Sequence, residues 1–306
     1  MRPESSPWAR RSLSIGVVVL AAVASTACTA AVPLPPKALE LNRMGAAALA
    51  AGDLPTAEAR LALAIEYSPK FTEAWVNLGL LQLKEGELKA AQKTLTHARS
   101  LNADLPAPHH ANGLLDEKLS KMPQAEASYR AALAVDPGFA PARTNLGRLL
   151  FESGRFEEAR EQFLRLTEVA PNVLEGWLGL AESLTRLGRE RDSDITAERA
   201  RRRFGDHPDL LLLVARQMLR RGAFDAAEAI LEPLTAQVDR RRSARAWAWL
   251  GVARLGQGLT DEATRAAEES LAEQADDPVA RYVLSRTAFV PRTAPIQPAD
   301  RSPVPL

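Results

Sequence analysis

The chain has 306 residues, of which 46% are hydrophobic and 25% are charged, a balance typical of a folded protein, and its single cysteine excludes an internal disulfide. The formal net charge is +1, and residues 1–27 contribute three arginines and one glutamate, so that the remainder of the chain carries −1. A chain this close to neutral has no general electrostatic attraction to nucleic acid, and we predict no nucleic-acid partner.

The N-terminal segment has the pattern of an export signal. Arg10 and Arg11 precede an apolar run over residues 13–24. This run fits a signal-peptide core better than a membrane span, which needs about 20 apolar residues. Cys28 follows the core, an order that resembles the lipobox of bacterial lipoproteins and implies a signal peptide of residues 1–27 and lipidation of Cys28. Secretion with Cys28 discarded and an uncleaved membrane anchor are the alternatives.

The residues after Cys28 bear on localisation. Thr29 follows it, and the absence of aspartate at this place resembles lipoproteins that are sent to the outer membrane. We therefore expect a lipid anchor in the outer membrane of a bacterial cell envelope, with the protein facing the periplasm. A soluble periplasmic protein is the alternative. Residues 28–36 contain three prolines and predict a short, stiff tether.

Small residues then recur at a spacing of 34 along most of the chain. The first series comprises Gly45, Gly79, Gly113, Gly147, Ala181, Ala215 and, after a short insertion, Gly251. A second series comprises Ala57, Ala91, Ala125, Ala159, Ala227 and Ala263. Prolines that would close units stand at Pro69, Pro137 and Pro171. Three features in one register indicate a structural repeat.

Residues 72–104 show the repeating unit. They predict two amphipathic helices joined at Gly86, with Gly79 where the first helix presses against the second, and with Trp75 and Leu95 filling the space around that contact. The pattern is similar to that of the tetratricopeptide repeat family. The resemblance implies an all-α, right-handed superhelical solenoid.

The repeat register sets the expected domain limits. We expect the solenoid over residues 37–289, as about seven helical hairpins with a C-terminal capping helix near residues 278–288. Residues 290–306 are rich in proline and polar residues, and we expect a disordered tail there.

Two units depart from the pattern. In the third, His109 stands in the tryptophan place and Asn112 replaces the leucine before Gly113, which indicates a weaker or locally rearranged interface. In the fifth, the second helix near residues 192–204 is rich in charge, and the pattern is weakest there.

The sequence offers no constellation for chemistry. His109 and His110 are adjacent, and neighbouring residues of a helix point about 100° apart, so the two rings do not converge on one metal ion. There is no glycine-rich phosphate loop, HExxH helix or nucleophile elbow. We therefore predict no catalytic residue, no metal and no cofactor, and expect that the protein is not an enzyme.

Arginines concentrate in the last third of the chain. They are Arg199, Arg201, Arg202, Arg203, Arg240, Arg241, Arg242 and Arg245. Acidic residues are interleaved with them and no aromatic platform accompanies them, a pattern that favours a solvated face. Contact with an acidic partner or with anionic lipid head groups is the alternative.

A concave groove lined by the first helices is the predicted binding site. Counting around each helix selects Val76, Leu80, Leu83, Leu114, Thr144, Arg148, Phe151, Glu182, Arg186, Arg216 and Arg220. This groove would change from apolar to charged along the chain, and its apolar part suits a helical or extended peptide segment. In the alternative interpretation, these side chains pack against the next repeat.

Some members of the resembled family grip a C-terminal carboxylate with a set of Lys and Asn residues. The corresponding places here hold Asn42, Ala46, Asn77, Ala107 and Ala111, of which only Asn77 fits, so binding of chaperone tails is disfavoured.

These observations predict a non-catalytic scaffold that binds a protein or peptide partner and is attached to a membrane by a lipid. In plan the chain resembles the pilotin lipoproteins that help type IV pilus secretins to assemble. A scaffold for cell-wall hydrolases or for envelope assembly is an alternative of the same class, and a small-molecule sensor or an enzyme is an alternative of another class.

Overall fold

The computed structural model describes residues 33–236 and 239–288 of the chain. The predicted signal peptide, Cys28, most of the predicted tether and the proline-rich tail lie outside these residues. Within the described ranges the chain forms 15 α-helices and no strand.

The helices follow one another at short intervals. They are α1 (Pro36–Ala51), α2 (Leu54–Tyr67), α3 (Thr72–Glu85), α4 (Leu88–Leu101), α5 (Pro106–Lys118), α6 (Met122–Val135), α7 (Ala140–Glu152), α8 (Phe156–Val169), α9 (Leu174–Arg186), α10 (Glu190–Phe204), α11 (Pro208–Arg220), α12 (Phe224–Thr235), α13 (Arg240–Gly256), α14 (Thr260–Glu273) and α15 (Pro278–Thr287).

Consecutive helices pair as helical hairpins, from α1 with α2 to α13 with α14. The last helix, α15, packs against both α13 and α14. The prediction of seven hairpins and a final capping helix is therefore confirmed for the part of the chain that the structure describes. In each hairpin the first helix has an odd number and the second helix has an even number.

The described chain divides into two compact units. The first contains α1 to α8, up to Ala170, and the second contains α9 to α15, from Pro171. In the first unit, α1 contacts α3 and α3 contacts α5; in the second unit, α9 contacts α11 and α11 contacts α13. The first helices of these successive hairpins are thus neighbours within each unit.

Glycines set the close approach of the two helices of a hairpin in the first unit. A Cβ atom on Gly79 would lie 2.3 Å from Leu95 Cδ2, and one on Gly113 would lie 2.5 Å from Tyr129 Cε1. Gly45 and Gly147 face Leu61 and Phe163 in the same way, at 2.7 and 2.9 Å. Because these distances are shorter than any van der Waals contact, the predicted role of Gly79 is confirmed.

Gly86 ends α3 and turns the chain into α4. It adopts the left-handed conformation, with φ at 83°, and its N–H faces the last carbonyls of α3. This conformation favours glycine because it has no Cβ. In the third hairpin the corresponding residue is Ser120, with φ at 58°.

A side-chain donor near the start of several first helices, and of the capping helix α15, bonds to the carbonyl six residues earlier. The donors are Trp75 at 2.8 Å, His109 at 2.8 Å, Arg143, Trp177 at 3.0 Å and Arg281 at 3.1 Å. His109 therefore keeps the contact that tryptophan makes in other hairpins. Asn112, the second polar residue of that unit, donates to Pro108 O at 2.7 Å.

Candidate functional site

The apolar residues predicted to line the groove are buried. Val76, Leu80 and Leu83 on α3, Leu114 on α5 and Phe151 on α7 have exposed fractions of 0 to 4%. The alternative interpretation, in which these residues pack between repeats, accounts for their burial. Their role in binding a partner stays a prediction, and the accessible part of a binding surface must be built from other first-helix residues.

Thr144 and Arg148 on α7 are half-buried and remain accessible in part. Arg148 bonds to Glu117 on α5 and, at 3.1 Å, to Glu152 on its own helix. Glu117 also accepts a hydrogen bond of 2.7 Å from the hydroxyl of Tyr129. Burial and the Glu117 carboxylate raise the pKa of Tyr129 well above its ordinary value. These contacts tie the accessible edge of α7 to α5 and α6.

In the second unit, Arg216 on α11 forms a buried ion pair with Glu182 on α9, with an N–O distance of 2.8 Å. Both residues are 6% exposed. The guanidinium carbon of Arg216 also lies 5.2 Å from the ring centroid of Trp249 on α13. Burial alone would raise the pKa of the Glu182 carboxyl, but the Arg216 guanidinium, together with the more distant charges of Arg245 and Arg220, outweighs burial and lowers it. Glu182 is therefore ionised in the folded protein at neutral pH.

The two other arginines predicted for this region are more accessible. Arg220 at the end of α11 is half-buried and donates to the hydroxyl of Thr185 on α9 at 3.3 Å. Arg186, the next residue after Thr185, is exposed. The predicted charged residues of the groove thus come together on α9 and α11, whereas the contribution of Trp249 on α13 was not predicted.

Ser193 is a structural residue that the sequence reasoning missed. It occupies the place of the second alanine series in the fifth hairpin, 34 residues after Ala159. Its buried hydroxyl donates to Ala181 O at 2.7 Å and accepts from Gln217 Nε2 at 2.8 Å. The fifth hairpin, where the sequence pattern is weakest, is therefore joined to the sixth by hydrogen bonds in addition to apolar contacts. The 34-residue spacing from Ala159 is the signal that could have found Ser193.

Asn77, which fits the residue set that binds a C-terminal carboxylate in the resembled family, makes its contact inside the protein. Asn77 is 1% exposed, and its Nδ2 donates to Asn42 Oδ1 at 2.9 Å. This contact joins α3 to α1 and uses the Asn77 amide inside the protein.

His110 is buried between α5 and α7. Its Nε2 lies 2.8 Å from Asn145 Nδ2, and its ring lies 5.8 and 5.6 Å from the rings of Tyr129 and Phe139. Burial lowers the pKa of His110 from 6.5 to about 4, so the ring is neutral at pH 7 and accepts the hydrogen bond from Asn145. His109 faces a backbone carbonyl instead, so the two rings do not meet at one site.

This shift makes the stability of the first unit depend on pH. The unfolded chain protonates His110 below about pH 6.5, whereas the folded chain resists protonation down to about pH 4. The unfolded state therefore binds more protons in this window, and the free energy of unfolding should fall by about 3 kcal/mol as the pH drops through it. Urea unfolding at pH 7, 6, 5 and 4 measures the fall. His110→Asn should flatten it, whereas His109→Asn should not; equal slopes for both variants would contradict the assignment to His110.

No group of three or more His, Cys, Asp or Glu side chains within residues 33–236 and 239–288 is arranged to hold a metal ion. A search of the same residues for a helix with the length and hydrophobicity needed to cross a membrane finds none.

Comparison with known proteins identifies the repeat. A family model described as "Tetratricopeptide repeat" matches residues 48–112 and 118–184, and a second model with the same description matches residues 215–278. Together these matches cover more than half of the chain.

Solved structures share the fold. A tetratricopeptide repeat protein from Parabacteroides merdae ATCC 43184 is 20% identical, with a TM-score of 0.60 over 83% of this chain and 100% of that one. PilF of Pseudomonas aeruginosa is 19% identical, with a TM-score of 0.58 over 70% of this chain and 97% of that one.

PilF is also similar to this chain in sequence. The type IV pilus assembly protein PilF of Pseudomonas aeruginosa is 29% identical over 96 residues, which are 31% of this chain. The match spans 38% of the length of that relative.

Proposed function

The chain belongs to the tetratricopeptide repeat family, and from that premise we propose that it is a non-catalytic scaffold that holds a segment of a partner protein against its first helices. Repeats of this family bind protein or peptide partners. The observation that carries the proposal is the contact between first helices of successive hairpins, α1, α3 and α5 in one unit and α9, α11 and α13 in the other. Helices placed side by side present a surface that is longer than any single hairpin.

We further propose that the scaffold is anchored to a bacterial envelope membrane through a lipid on Cys28. The signal-like segment before Cys28 supports this anchor. The similarity to a type IV pilus assembly protein supports a role in assembling an envelope complex, such as a type IV pilus secretin. A lipid anchor would keep the scaffold at the membrane where such a complex forms.

Cys28→Ala tests the anchor. The variant is expected to move from the membrane fraction to the soluble fraction of the cell, because it has no thiol to carry the lipid and therefore no acyl chains to hold it in the bilayer. Metabolic labelling with palmitate should mark the unmodified protein and leave Cys28→Ala without label. A variant that stays in the membrane fraction would refute lipid anchoring.

Site-specific photocrosslinking in living cells tests the partner. Thr144, half-buried on first helix α7, is replaced by benzoylphenylalanine, and Glu161, exposed on second helix α8 of the same hairpin, is the matched control. We expect a discrete crosslinked polypeptide at position 144 and a much weaker one at 161, with mass spectrometry identifying the partner. Equal crosslinking at both positions would contradict binding on the first helices. A charge at Leu80 is no substitute for this test, because Leu80 is fully buried and the change would disrupt packing.

A further inference from the structure

The two helices of each hairpin in the second unit carry opposite charge. The first helices α9, α11 and α13 contain eight arginines and three carboxylates, a net charge of +5. The second helices α10, α12 and α14 contain six arginines and twelve carboxylates, a net charge of −6. In the first unit, the four first helices and the four second helices each sum to zero. The segregation is therefore a property of residues 171–288, and it is hidden in the overall charge of +1.

Ion pairs within the unit account for part of this positive charge. Glu182 is paired with Arg216, and Asp209 lies 3.4 and 3.7 Å from Arg242 and Arg245. Since these pairs use two of the three first-helix carboxylates for three arginines, the first-helix layer keeps a surplus of guanidinium groups.

Among these surplus arginines, Arg220 has the surroundings that best indicate a site for an anionic group. It donates to the neutral hydroxyl of Thr185, and within the described residues no carboxylate lies in direct contact with its guanidinium. Burial and the neighbouring Arg216 lower the pKa of Arg220, and the more distant carboxylates of Glu182 and Glu190 offset only part of this effect. Arg216 adds a buried Nε–H that has no acceptor within the described part of the chain. Because Arg220 is only half-buried, its guanidinium retains donors that an oxyanion of a partner can reach, whereas the Arg216 Nε–H is enclosed.

We infer that the first-helix layer of residues 171–288 docks an acidic segment of the partner protein, with Arg220 binding a Glu or Asp side chain of that segment. This inference rests on the proposed function and specifies the chemistry of the partner. A carboxylate fits because a guanidinium can donate two parallel hydrogen bonds to it, and because the bond is charge-assisted. The negative second-helix layer would repel the same segment, so the polarity of the unit selects one face.

Fluorescence anisotropy with a labelled octaglutamate peptide tests the inference on the full chain, with octaglutamine as the uncharged probe. Octaglutamate should bind and octaglutamine should not. Arg220→Gln should weaken binding about tenfold, the effect of losing one charge-assisted hydrogen bond. Arg221→Gln is the matched control, because it removes the same charge from a neighbouring residue that pairs with Asp194 on second helix α10. Equal weakening by both variants, or equal binding of both peptides, would overturn the inference.

A measurement on the unmutated protein guards against misfolding of Arg220→Gln. Phenylglyoxal modifies arginines, and mass spectrometry should show severalfold protection of Arg220 by octaglutamate, with exposed Arg202 on α10 unaffected. The inference would also be overturned if octaglutamate left the labelling of Arg220 unchanged. The same holds if phosphatidylglycerol vesicles displaced octaglutamate and themselves protected Arg220. Failure here would leave the crosslinking at Thr144 in the first unit as a separate test of the proposed scaffold function.

Discussion

Gly113→Ala is expected to destabilise the first unit by about 1 kcal/mol, although alanine is the better helix former. The added Cβ would lie 2.5, 2.7 and 2.9 Å from three ring atoms of Tyr129. That ring is fully buried, and its hydroxyl is held by Glu117 at 2.7 Å, so it cannot rotate away without losing a hydrogen bond. Overpacking of this kind costs about 1–3 kcal/mol, which exceeds the gain of about 1 kcal/mol in helix propensity.

Gly251→Ala is the matched control, because Gly251 occupies the same place of the repeat in the seventh hairpin. A Cβ atom there would meet Ala263 O at 3.3 Å and Val283 at 3.4 Å, distances that small adjustments can relieve. Urea unfolding followed by circular dichroism should show a clear loss for Gly113→Ala and little change or a slight gain for Gly251→Ala. A neutral Gly113→Ala would mean that the glycine series is not set by contact with the second helix.

The glycine contacts could be predicted from the sequence because they depend only on helix geometry and on a fixed period. Small residues 34 apart, followed 16 residues later by Leu95, Tyr129 or Phe163, specify where two helices meet. Alanine replaces glycine at Ala181, and there the residue 16 positions later is Ala197. In the sixth hairpin Ala215 coexists with Leu231, a side chain with more freedom than the ring of Tyr129.

The accessible surface could not be predicted by the same argument. A helical period shows that Leu80 and Leu114 face away from their own second helix, but it does not show whether the neighbouring hairpin or a partner covers them. The structure places both in the interior. The same count also selected Thr144 and Arg220, which are half-buried and remain accessible, so it does not separate accessible residues from buried ones.

Polar contacts between first helices were also missed, yet they follow a simple spacing. Glu182 and Arg216 are 34 residues apart, and His110 and Asn145 are 35 apart. Residues at this separation occupy equivalent or adjacent places on successive first helices. Complementary polar residues at a separation of 34 or 35 are therefore a sequence signal for buried contacts between hairpins.

Replacing Glu182 alone by leucine is expected to cost the second unit about 3–5 kcal/mol, the largest effect expected from a single side chain here. The change leaves the Arg216 guanidinium buried without its carboxylate and beside Arg220. Arg216→Met should be similarly costly, because it strands the Glu182 carboxylate and removes the contact with the Trp249 ring. Chemical unfolding of the two variants measures both losses.

The double variant Glu182→Leu/Arg216→Met completes the cycle and identifies the cause. Since two apolar side chains of similar volume need no desolvated charges, the double variant should be far more stable than the sum of the single losses predicts. The exposed pair Arg201 and Asp206 is the control, for which either single change should cost less than about 1 kcal/mol.

Acid should also destabilise the second unit through the pair of Glu182 and Arg216. The pKa of Glu182 is lowered on folding, so its contribution is present above the ordinary carboxyl pKa and is lost as the pH falls through the folded value. If the single changes at 182 and 216 were additive, the two charges would not be acting as a pair, and the contact between α9 and α11 would not depend on them.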